Sequence, residues 1–204
     1  SRAKHILLKL KEVVAMFIDY VPLMLINMAG GLCLLAACVG KANNSVVEKH
    51  WASGFLMSGA VALACGFHMI FNWPLPGSYN VAFGELSVLL GILFAGAGIA
   101  IAKGWDLFPV IMYGFFAGIA AVIAGLRIIT LGMTREPLLS GAGFILTGLA
   151  GVLLPLAYWI RKQFFRWLIL LCLVSAAVIW LRTGYMALWS HLGDLSKWVP
   201  IAMR

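Results

Sequence analysis

The sequence predicts an all-α fold: a polytopic integral membrane bundle of six transmembrane helices with an N-terminal amphipathic helix. Three observations carry this. Of 204 residues, 63% are hydrophobic and 11% charged, whereas soluble globular chains are about half apolar and a quarter charged. The mean hydropathy is +1.01, and the apolar residues form continuous runs of about 20, the length a helix needs to cross the hydrocarbon core. The charges gather in short clusters between those runs.

The opening segment 1–17 sets Arg2, Lys4, Lys9 and Lys11 against Ile6, Leu7, Leu10, Val13 and Val14 at near-helical spacing. That pattern describes a helix lying in the membrane interface. No small-residue cleavage site precedes the next polar position, so the segment is expected to be retained rather than removed as a signal peptide. The transmembrane domain then covers 18–188, with spans at Ile18–Val39, Trp51–Asn72, Phe83–Ala102, Leu107–Thr130, Leu138–Ile160 and Phe164–Leu188. Residues 189–204 are expected to form an interfacial tail. The connections are too short for a soluble domain, and no low-complexity linker divides the chain.

Small residues recur at helix-packing intervals: Gly114 and Gly118, Ala121 and Gly125, Ala60 and Ala64, then Gly143, Thr147 and Gly151. In lipid the hydrophobic effect does not drive helices together, so side chains that let backbones approach closely supply the contact. A pore lining is the other use of such faces. Tryptophans Trp51, Trp73, Trp105, Trp159, Trp167, Trp189 and Trp198 fall at span ends, as an interfacial belt does. Cys33, Cys38, Cys65 and Cys172 lie in apolar runs without a CxxC pair, so they read as buried hydrophobes rather than zinc ligands or disulfides.

An even number of spans places both termini on one face, here face A. Face A carries Asp19, His68, Asn72, Asn80, Glu85, Arg127, Arg135 and Glu136. The opposite face B carries Lys41, Lys49, Lys103, Arg161, Lys162 and Arg166 against Glu48 and Asp106. The basic loops argue for a cytoplasmic face B, and the basic N-terminal tail argues the reverse. A net charge of +8 distributed this way reflects membrane topology, and no nucleic-acid partner is expected. The expected location is the cell (inner, cytoplasmic) membrane.

The stretch "HMIFNWPLPGSYNVAFGE", His68 to Glu85, is the most polar-patterned in the chain. Pro74 and Pro76 restrict their own torsions and those of the residues before them, and Gly77 supplies a position free of side-chain clash, so the helix must stop there. Asn72 and Asn80 flank the turn, where their amides can satisfy backbone groups freed at the helix ends. His68 aligns with Ala64 and Ala60 at i−4 and i−8 and is expected to point into a packed face. One reading makes His68 a hydrogen-bonded structural residue; the other makes it a proton relay or the single ligand of a haem or chlorophyll. Glu85 and Arg127, both at face A, are expected either to pair or to face a water-filled mouth, with snorkelling of Arg127 as the alternative. Thus His68, Asn72, Asn80, Glu85 and Arg127 form the candidate polar mouth or structural cluster.

No phosphate loop, paired carboxylates or nucleophile with a base appears, so no catalytic residue, metal site or independent enzyme activity is expected. "FIDYVPLMLINMAGGL", "WPLPGSYNVAFGE", "AKGWDLFPVIMYGFFAGIAA" and "REPLLSGAGFILTGLAGV" resemble the prokaryotic membrane family called domain of unknown function 981, over about residues 17–159. That resemblance implies a multi-span protein of uncharacterised activity. A second similarity is to the six-helix urea and short-chain amide channels, through "YVPLMLINMAGGL", "LLGILFAGAG" and "GWDLFPVIMYGFFAGI". It implies an oligomeric ring with a pore in each protomer. However, "FAGAGIAIA" and "GAGFILTGLAGV" stand where those channels carry pore-lining aromatics.

Three functions follow as expectations. The first is a non-catalytic accessory or structural subunit of a larger membrane complex, energy-transducing assemblies included. The second is an oligomeric channel or carrier for a small neutral or amide-like solute. The third is a subunit holding one pigment or haem through His68. Expected partners are membrane lipids, some of them bound, and other integral membrane subunits or further copies of the chain.

Overall fold

The computed structural model describes residues 20–41, 48–160 and 162–194. They form α1 (Val21–Lys41), α2 (Trp51–Asn72), a π-helical turn (Asn80–Glu85) running directly into α3 (Leu86–Lys103), α4 (Phe108–Leu131), α5 (Pro137–Ile160) and α6 (Gln163–Asp194). Six helices, the π-helical turn counted with α3, are long and apolar enough to cross a membrane. Among the described residues there is no strand. The expected amphipathic helix at 1–17 lies outside the described residues. The expected tail at 189–204 begins as helix instead: α6 runs on to Asp194, and 195–204 lie outside the described residues.

Local chemistry sets the helix ends. Asp106 accepts the Phe108 amide at 3.0 Å, and Pro109 in the first turn of α4 occupies a place where no amide partner is needed. Gly104 and Gly132 take φ of 69° and 62°, and the amides that follow them return to the carbonyls of Ala100 and Ile128. This is the six-to-one bond of a Schellman stop, and it requires the left-handed conformation that glycine adopts freely. At the end of α2 the same conformation falls on Trp73, at φ 44°. Pro74 disfavours a right-handed α conformation at Trp73, so the chain breaks there without a glycine.

Each helix packs chiefly against its neighbours in sequence, and α6 returns to α1, so the six close into a ring. The strongest pairings are α4 with α5, α2 with α3, and α1 with α6. Glycine permits the first two. A Cβ on Gly118 would fall 2.5 Å from the Gly148 carbonyl oxygen, and one on Gly148 would strike the Gly118 carbonyl in return. Gly125 stands in the same relation to Gly141, and a Cβ on Gly151 would fall 2.7 Å from the Gly114 carbonyl oxygen. Between α2 and α3, Gly59 meets the Ala95 backbone, Gly66 that of Val88 and Gly91 that of Leu63. At the α1–α2 contact the Asn27 amide donates to the Ser58 carbonyl at 3.0 Å, and the Ser58 hydroxyl donates back to the Asn27 carbonyl.

The predicted small-residue faces of α4 and α5 therefore do pack against neighbouring helices, and that of α2 does not. Ala60 and Ala64 face outward, because the flatter glycine stripe of α2 takes the contact. On α5, Gly143 and Thr147 pack against Trp180 of α6, and Gly151 against α4. Cys33 is exposed, not buried. The tryptophans Trp73, Trp105, Trp159, Trp167 and Trp189 are exposed at helix ends, as a belt requires, whereas Trp180 is completely buried.

A side chain at Gly118 has backbone, not a flexible neighbour, in its way. Gly118→Val is expected to destabilise the bundle by about 2 kcal/mol or more, read as a lower Tm in detergent. Gly96→Ala, whose Cβ meets nothing within 4 Å, should leave Tm unchanged or raise it.

Candidate functional site

At face A the turn after α2 is built around one side chain. Asn80 is 1% exposed. Its Oδ1 accepts the Leu75 amide at 2.9 Å, and its Nδ2 donates to the carbonyls of Leu75 and Gly77. The prolines remove two amide donors from this loop, and one asparagine closes what they leave open. Asn72 donates to the His68 carbonyl at 3.1 Å, one turn back in its own helix. Both amides thus serve backbone at the helix ends.

His68 is exposed, so the expected packed face is corrected: Ala60, Ala64 and His68 share the outer side of α2, while Ala62, Gly66 and Met69 take the inner one. The His68 Nδ1 lies 2.9 Å from the Tyr20 hydroxyl, with the rings edge-on at 5.3 Å. Glu85 and Arg127 are also exposed, and among the described residues they form no ion pair. Glu85 follows buried Gly84, and Arg127 precedes buried Ile128, so each side chain leaves its helix on the outer side. Of the five candidate residues, only Asn80 points inward.

The ion pair at this face lies elsewhere. Arg182 of α6 holds Glu136 through two bonds, Nη1 to Oε2 at 2.6 Å and Nη2 to Oε1 at 3.3 Å. The guanidinium's hydrogen bonds and charge hold the Glu136 carboxyl below its ordinary range. With a lowered pKa, the link is present at neutral pH and is lost only as pH falls through that lowered value. The pair was missed because Arg182 sits inside the span expected at Phe164–Leu188. An arginine in a transmembrane run is costly enough to be a signal in itself.

The pair stands on the rim of a cleft of about 470 Å³. Its walls are the proline turn, the start of α5, the first turns of α1 and the end of α6. Leu25, Phe83 and Trp180 form an apolar floor; Thr134, Arg135, Glu136, Arg182 and His191 belong to the polar rim. The cleft has height because α6 overshoots. Its 32 residues span about 48 Å at 1.5 Å per residue, well beyond a hydrocarbon core of about 30 Å.

Under the floor, Trp180 donates to the Thr147 hydroxyl at 3.2 Å, which donates to the Gly143 carbonyl at 2.8 Å. Phe144 meets the Trp180 ring edge-on at 4.9 Å and Phe83 at 5.6 Å. Beyond these three aromatics lies a cavity of about 60 Å³ at the centre of the ring, lined by Leu32, Leu93, Phe94, Leu173 and the far side of Phe144. Among the described residues no three His, Cys, Asp or Glu side chains converge on a metal-sized site.

Asn80→Ala would take the partner from one buried amide and two carbonyls. It is expected to cost about 2 kcal/mol or more, measured as a drop in Tm and as new protease cleavage between Trp73 and Tyr79.

No curated protein and no solved structure matches the chain, so the likeness to urea and amide channels gains no support from a known fold. A family match covers residues 15–194, which takes in all six helices and ends where α6 ends. It therefore reaches well past the Trp159 limit of the resemblance read from sequence. The chain belongs to the membrane family described as protein of unknown function (DUF981).

Proposed function

We propose that the protein is a non-catalytic integral membrane subunit that works by docking against other transmembrane helices in a larger assembly. One observation carries this reading. On α1, Gly30, Cys33 and Ala37 form a stripe of small, exposed residues, and a Cβ on Gly30 would meet nothing within 4 Å. Elsewhere in the bundle glycine stripes are spent on helix contacts. In lipid, an unoccupied stripe of this kind is where another helix can approach closely.

The test is isolation from native membrane in mild detergent. Stoichiometric partners should co-purify, and Gly30→Leu should release them by about tenfold or more without changing Tm. A stable homo-oligomer free of other subunits would overturn the reading.

A channel or carrier for a small neutral or amide-like solute is favoured by a different observation. Phe83 and Trp180 line the cleft, Phe144 lines the cavity, and Phe144 touches both of the other rings. If that axis conducts, Phe144→Ala should raise solute flux in proteoliposomes several-fold; flux equal to that of protein-free vesicles in both forms rejects it. For a haem or chlorophyll on His68, the ligating atom would be Nε2, since Nδ1 faces Tyr20. A visible absorption spectrum of the purified protein tests that.

A further inference from the structure

We propose that the face-A cleft binds an anionic amphiphile, with its acidic head at Arg135 and Arg182 and one apolar chain against Leu25, Phe83 and Trp180. A volume of about 470 Å³ falls within the range of small-molecule sites, roughly 300–1,000 Å³. Its lining divides into an apolar floor and a polar rim, which is the division an amphiphile carries.

Charge selects the sign of the head. Arg135, Glu136, Arg182 and His191 line the cleft. Glu136 is the acid among them, and both of its oxygens already accept from Arg182. A cationic head would therefore have to break that pair to find a carboxylate. An anion meets no such cost. Arg135 is exposed at the rim and, among the described residues, belongs to no ion pair. Arg182 spends two N–H groups on Glu136 and has five to offer. The rim thus keeps net positive charge and unspent donors beside the opening.

Position selects the rest of the ligand. Arg182 lies about 18 Å from the end of α6 at Asp194, taking 1.5 Å per residue, and Trp180 lies one half-turn deeper. Glu136 immediately precedes the first residue of α5. Head-binding groups and apolar floor therefore straddle the level where helices enter the bilayer, and a molecule held head-outward satisfies both. Two sources offer this chemistry: a free single-chain acid, or an anionic phospholipid of the surrounding leaflet lending its head and one chain.

The probe is decanoate, with decyltrimethylammonium and decanol as cationic and neutral counterparts. Binding to the full chain is measured in phosphatidylcholine nanodiscs against protein-free discs. Decanoate should bind saturably and about tenfold or more tighter than either counterpart, a preference of at least about 1.4 kcal/mol. Arg135→Gln should weaken it by about tenfold, and Ala187→Trp, which fills the cleft from α6, should abolish it. Arg135 is exposed, so its variant keeps the test decisive if Ala187→Trp fails to fold. Enriching the discs in phosphatidylglycerol separates the sources: loss of decanoate binding identifies the phospholipid head, and unchanged binding identifies the free acid. Equal binding of all three probes, or wild-type binding by Arg135→Gln and by a folded Ala187→Trp, overturns the proposal.

Discussion

Backbone meeting backbone at glycine is the contact on which the rest of this bundle depends. Inside lipid, apolar side chains gain little by leaving one set of hydrocarbon neighbours for another, so packing must come from closeness. The α4–α5 pair reaches that closeness through reciprocal glycines, Gly118 with Gly148 and Gly125 with Gly141. The α2–α3 pair does so through Gly59, Gly66 and Gly91 set against neighbouring backbone. With two hairpins this tight, the bulky side chains are left to fill the middle, where Phe94, Phe144 and Leu173 surround a cavity of only about 60 Å³. Bulk and smallness are sorted by position: aromatic residues close the axis and glycine closes the walls.

The two ends of the ring are made differently. At face B the contacts are peripheral: Lys41 lies 5.4 Å over the Trp51 ring, Arg166 donates to the Gly40 carbonyl, and Tyr158 donates to Asp106. At face A a buried asparagine fixes the proline turn, and an arginine–glutamate pair ties Arg182 of α6 to the start of α5. Fixed walls on both sides leave a depression between them. The stiffness of the turn and the length of α6 together make the cleft, and neither alone would.

Much of the fold was legible because bilayer thickness and helical rise dictate span length, and the starts or ends of five spans fall within a few residues of those read from hydropathy. The largest departure is the end of α6, at Asp194 rather than Leu188, and α3 opens in a π-helical turn that reaches back to Asn80, the residue that satisfies the loop. The facing of each helix was less legible. Small residues at helical spacing look alike in sequence, yet on α2 Ala60 and Ala64 face outward while Gly59 and Gly66 are buried. The candidate cluster was read from proximity along one face, which fixes height in the membrane but not azimuth. His68, Glu85 and Arg127 share a height with the cleft and lie on the outer surface. Trp180 and Arg182 were hidden by the hydrophobicity around them: within an apolar run of α6 neither disturbs the average, although each decides what its end of the ring does.

Neighbours in sequence being neighbours in space, five of the six contacts around the ring can form as the chain is made, each helix settling against the one before it. The sixth joins α1 to α6 and has to wait for α6 to emerge. Until then the face of α1 carrying Leu25, Ala29 and Leu32, all buried in the finished fold, stays turned toward lipid or toward whatever escorts a nascent membrane protein. Because its walls include both α1 and α6, the cleft is complete only when that contact has formed and the ring is shut.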